Sequence, residues 1–109
     1  MIYPQKLKNY NISQEIIKKI NLLLELLETI TDIDRTKINN TIYCCRWVLQ
    51  NLSVLSNYKI KEPTFKQRKD AIDVTKEIAI NYTRDEKIKD AIKFFAEYYK
   101  IQLDNMSKR

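Results

Sequence analysis

None of the 109 residues is glycine. Glycine is the residue that reaches positive φ without steric cost, so helices in this chain must end on Asn, Thr or solvated carbonyls instead of the usual glycine cap. The same gap removes whole classes of function. A P-loop, a G-x-G-x-x-G dinucleotide turn and an EF-hand loop of the usual type each need glycine for close backbone approach or positive φ. Histidine is missing as well, which excludes Ser-His-Asp and Cys-His catalysis and any His-ligated zinc, iron or copper. Such a chain is better supplied with surfaces than with reactive sites.

This length predicts a single domain, able to bury about two thirds of its unfolded surface without a disulfide or a metal. Apolar residues at 44% and charged residues at 31% describe a folded chain, not a disordered one. The two cysteines are adjacent, Cys44-Cys45. Neighbours in sequence cannot close an ordinary unstrained disulfide, and two thiols cannot complete a zinc site, so both are expected as reduced, partly buried thiols in a cytoplasmic protein. Residues 1–10 carry Lys6 and Lys8 in a polar run without the apolar core of a signal peptide. The greasiest stretch, Ile20 to Leu27, is interrupted by Asn21 and Glu25 and is far short of a membrane span, so no membrane insertion is expected.

Caps and periodicity predict four helices, over about 13–30, 35–58, 64–82 and 84–105. The first, opened by Asn11 or Ser13, repeats Ile16, Ile20, Leu23, Leu27 and Ile30 at helical spacing. Asp34 is the expected N-cap of the second, whose core stripe is Ile38, Ile42, Cys45, Leu49 and Leu52. Pro63 breaks the chain before Thr64 and Gln67, a capping-box pair for the third helix. Thr83 and Glu86 form the same pattern before the fourth, in which Phe95 and Tyr99 continue an Ile88/Ile92 stripe. Short connections favour antiparallel neighbours. The expected fold is therefore all-α, an antiparallel up-down-up-down four-helix bundle.

The second helix has more apolar face than a bundle helix needs. Tyr43, Trp47 and Val54 project nearly opposite its core stripe, beside Asn40, Gln50 and Asn51. Either this helix packs unusually deep, or these residues mark a contact surface. The protein-facing set expected on the second alternative is Tyr43, Arg46, Trp47 and Val54, rich in the residue types that dominate interface energetics. Leu22 and Leu26 widen the apolar stripe of the first helix in the same way.

The net charge of +6 is uneven. Residues 1–20 carry +3, residues 21–58 carry −1, residues 59–69 carry +4, and residues 70–109 sum to zero. The basic segment contains Tyr58, Lys59, Lys61, Phe65, Lys66, Arg68 and Lys69, aromatic residues interleaved with cations at the start of a helix. Free N–H groups at a helix start favour phosphate, and an aromatic ring there can stack on a base. Either the segment is a solvated connection whose Tyr58 and Phe65 fold into the bundle end, or it contacts an anion, which makes nucleic acid the alternative partner. The remaining constellations are weaker. Asp70, Asp73 and Glu77 share one helical face, as a divalent-cation site would need, but Lys66, Lys69 and Lys76 already stand beside them, which predicts a solvated ion-pair face. Glu86, Asp90, Lys93, Glu97, Lys100 and Asp104 alternate in sign along the last helix, the pattern of a water-facing surface. Neither cysteine has a histidine base, so no catalytic residue, metal or cofactor is expected.

The helix order, the small basic chain and the stretch Ile38-Asn39 to Asn57-Tyr58-Lys59-Ile60-Lys61 resemble the immunity proteins that protect producers of pediocin-like bacteriocins. That resemblance spans about residues 13–82 and implies a cytoplasmic four-helix bundle that blocks a toxin–receptor complex without catalysis. In size, charge and the aromatic run Phe94–Lys100, the chain is also similar to the small helical subunits of CRISPR effector complexes, which line a nucleic-acid path. The expected function is a non-enzymatic binding protein. Its leading form is an immunity or inhibitor protein with a protein partner or a second copy of itself, and its alternative form is a nucleic-acid-binding subunit.

Overall fold

A computed structural model describes residues 10–52 and 59–107. Four α-helices follow one another: α1 (Tyr10–Thr29), α2 (Arg35–Leu52), α3 (Phe65–Asn81) and α4 (Glu86–Ser107). Each packs on its chain neighbour, and α1 closes the ring on α4. The result is an antiparallel up-down-up-down four-helix bundle. Among the described residues no backbone φ is positive. α3 accordingly ends without a left-handed cap: it closes on Tyr82 (φ −121°, ψ −10°), whose N–H donates to the Ile78 carbonyl.

The caps explain the boundaries. Asp34 Oδ1 accepts from the Thr36 and Lys37 N–H groups and so starts α2. Both halves of the Thr64/Gln67 capping box are present at α3. At α4 the expected Thr83 cap is displaced. Asp85 Oδ1 accepts from Lys87 N–H, while Thr83 Oγ1 accepts from Asp85 N–H, and the helix starts two residues later than Thr83 would set it. α1 starts at Tyr10, which places Asn11 and Ser13 inside the helix and not at its cap. Polar residues inside a helix cost only a few tenths of a kcal/mol each. The expected extension of α2 to Tyr58, with Val54 and Tyr58 themselves, lies outside the described residues.

The core joins Ile20, Leu23, Leu27 and Ile30 of the α1 side to Ile38, Cys44, Cys45, Val48, Leu49 and Leu52 of α2. Ala71, Val74 and Ile78 of α3 and Ile92, Phe95, Tyr98 and Tyr99 of α4 complete it. The aromatic run of α4 is therefore core. Phe95 and Tyr99 stack tilted with ring centroids 4.9 Å apart, and Tyr99 sets its edge to Tyr98 at the same separation. The Tyr99 hydroxyl, fully inside, donates to the Cys44 carbonyl at 2.7 Å, and Asn51 donates to Tyr98 Oη at 3.2 Å, so α2 and α4 meet across the bundle diagonal. Thr41 and Thr75 are buried polar residues that return their hydroxyls to their own helices, at the Lys37 and Ala71 carbonyls. The alternating charges of α4 all face outward.

Candidate functional site

The face of α2 opposite its core stripe carries Asn40, Tyr43, Trp47, Gln50 and Asn51, and three of these hold the basic connection and the helix that follows it. Gln50 brackets one residue of the connection: its Oε1 accepts from Ile60 N–H at 2.8 Å and its Nε2 donates to the Ile60 carbonyl at 3.2 Å. The Tyr43 hydroxyl donates to the carbonyl of Lys61. One residue further on, Glu62 accepts from Arg68 Nη2 at 2.7 Å, and Pro63 is buried. Four successive residues are thus fixed before α3 starts. Ile60 is half-buried, while Lys59 and Lys61 on either side of it are exposed. The two lysines therefore leave a pinned backbone.

Past the cap the surface continues with Phe65, Lys66 and Lys69. Phe65 is a large apolar side chain left 43% exposed, and the Lys69 ammonium stands over its ring, 5.9 Å from the centroid. Lys66 Nζ reaches the Asp70 carboxylate at 3.2 Å. The free N–H groups expected at this helix start are partly used, because Gln67 N–H donates to Thr64 Oγ1 and Thr64 N–H to Gln67 Oε1.

Arg68 is not on this surface. It is fully buried, on the α3 stripe that continues through Ala71, Thr75 and Ile78, and its charge is answered by Glu62. The spacing 68, 71, 75 and 78 was the signal for this, since it places the arginine on a core face. Asp70 also departs from expectation. It is buried instead of solvated, held by Asn40 Nδ2 at 2.8 Å and by Lys66, while Asp73 and Glu77 remain exposed. Desolvation pushes its carboxyl upward, but the hydrogen bonds from Asn40 and Lys66 and the charges of Lys66 and Lys37 outweigh it and hold the group below its ordinary value. Among the described residues no three metal-ligating side chains converge.

The expected protein-facing residues divide. Arg46 is exposed. Tyr43 is half-buried and its hydroxyl serves the connection; Trp47 is half-buried and packs against the core cluster. The extra apolar face of α2 is thus largely an internal surface. Cys44 and Cys45 are free and buried. The Cys44 thiol donates to the Gln67 carbonyl at 3.6 Å, and burial pushes its pKa up to about 12. Burial raises Cys45 well above its ordinary value too, so neither is the low-pKa thiolate of a covalent catalyst. A shallow groove between α1 and α4 mixes both signs of charge around Leu22 and is bridged by Lys19 and Asp90 at 3.5 Å. No helix among the described residues is long and apolar enough to cross a membrane.

No known protein family, curated protein or solved structure matches this chain.

Proposed function

We propose that this chain is a non-enzymatic binding protein whose working surface is the basic segment Lys59, Lys61, Phe65, Lys66 and Lys69, and whose partner is nucleic acid. The observation that carries this reading is the pinned connection. Gln50 and Tyr43 fix its backbone at Ile60 and Lys61, and Arg68 holds the Glu62 side chain, so the stretch that carries Lys59 and Lys61 has little backbone freedom left to lose on binding. An exposed aromatic ring lies in the same stretch of eleven residues, 59–69. Cations that neutralise phosphates and a ring that stacks on bases are the two parts of a sequence-tolerant nucleic-acid surface.

Action on a protein partner, as an immunity or inhibitor protein acts, is the second reading. The exposed Arg46 next to the half-buried Trp47 on α2 is the observation that favours it. Retention on heparin at low salt, lost with Lys59→Ala/Lys61→Ala and kept with Arg46→Ala, supports the nucleic-acid reading. Passage of the wild-type protein straight through the column defeats it. Polyglutamate displacing an oligonucleotide as well as unlabelled nucleic acid does so redirects the surface to an acidic protein.

A further inference from the structure

The charge pattern of α3 limits which nucleic acid this surface fits. Beyond its first turn the exposed positions of α3 include Asp73, Lys76 and Glu77, so carboxylates follow the lysines along the helix. A helix that enters a duplex groove meets phosphates along its length, and these carboxylates would meet them unfavourably. The excess of positive charge is confined to Lys59, Lys61 and the start of α3 up to Lys69. That is the extent of a few nucleotides.

Two further features point the same way. Lys59 and Lys61 are both exposed and two residues apart, which puts their Cα atoms at most about 7 Å from each other, a separation over which two ammonium groups can take successive phosphates of one strand. Phe65, exposed over 43% of its surface, lies four residues beyond Lys61 and faces solvent at the first position of α3. A paired base offers its faces only to its neighbours in the stack, whereas an unpaired base can lie on such a ring. We infer that the surface takes single-stranded nucleic acid, with phosphates on Lys59, Lys61 and Lys69 and one base stacked on the exposed ring of Phe65. This rests on the nucleic-acid reading above and narrows it.

The test compares a fluorescein-labelled oligothymidine with a duplex of equal length, by anisotropy at low salt. The inference expects tighter binding of the single strand and a loss of about tenfold in that affinity with Phe65→Ala, the scale of one stacked base. Phe65→Trp is expected to retain or improve it, and duplex affinity should be unmoved by either change. The Thr64/Gln67 cap and the core do not depend on this ring, and matched thermal midpoints of wild type and variants verify that the fold is kept. Equal or tighter duplex binding, or a Phe65→Ala affinity equal to wild type, overturns the single-strand inference while leaving the nucleic-acid reading in place. Binding of neither oligonucleotide overturns both.

Discussion

The Asn40 side-chain amide donates to the Asp70 carboxylate at 2.8 Å across the seam between α2 and α3. With Lys66 on the other side, this bond lets a carboxylate sit out of solvent yet stay charged. Asn40→Ala removes a donor from a buried anion and is expected to lower stability by about 1–3 kcal/mol, read from urea unfolding at neutral pH. An effect under a few tenths would mean that Lys66 alone satisfies Asp70.

The same carboxylate sets an acid limit. Its folded pKa lies below the ordinary 3.8, so its stabilisation is complete well above that value and is lost as the pH falls from there through the lower folded value. Asp70→Asn should be less stable than wild type at pH 7 and should show a shallower decline in stability below about pH 4. Parallel acid limbs for the two proteins would contradict this assignment.

Glu62 and Arg68 should respond unequally to substitution. Arg68 is fully buried, whereas the Glu62 side chain keeps 59% of its exposure. Removing the carboxylate strips a hydrogen bond from a charge that remains inside; replacing the arginine by an apolar chain of similar length removes that charge altogether. Glu62→Ala is expected to cost about 1–3 kcal/mol, and Arg68→Met to remain within about 1 kcal/mol of wild type. Denaturant midpoints with matched slopes would show the order, and the reverse order would count against it.

Both cysteines should be silent in the native protein. Burial holds Cys44 up at about 12 and Cys45 well above its ordinary value, so almost no thiolate exists at pH 8. Iodoacetamide is expected to leave both unmodified for as long as the fold persists and to label both in denaturant, read by intact mass. Rapid native labelling of either would show that the bundle opens there.

Much of this architecture was legible from spacing and caps. Ile20, Leu23, Leu27 and Ile30 read as core because their period matches a helix, and Asp34 and Thr64 read as caps because their side chains suit the first free N–H groups. Thr83 misled because Asp85, equally suited to capping, stands two residues later. The site was only half visible. Lys59 and Lys61 are exposed as their charge suggested, and Phe65 is exposed although the sequence also allowed it to fold into the bundle end; the bonds that pin the connection come from Tyr43 and Gln50, ten to eighteen residues away in the chain. Tyr43 on a polar helix face resembles a contact residue for a partner, and no local rule shows that its acceptor is a carbonyl of its own connection. The charge of Arg68 suggests a surface residue, but its position on the α3 stripe is the better guide to its burial.

If the pinned backbone matters for binding, residues that bear no charge should affect affinity. Tyr43→Phe and Gln50→Ala release Lys61 and Ile60 without touching a lysine or Phe65. Each is expected to weaken oligonucleotide binding by several-fold, through the ordering of about one extra residue on binding, while the salt dependence stays as in wild type. Unchanged affinity in both would show that the lysines act as tethered charges with no need of a fixed backbone.

The most direct test of the basic surface is the salt dependence of its affinity for a single strand. Three phosphate contacts, from Lys59, Lys61 and Lys69, predict a slope of log affinity against log salt of about −2, and Lys59→Ala/Lys61→Ala should reduce it to about −0.7. A wild-type slope near zero, or the same slope in the double variant, would contradict the account.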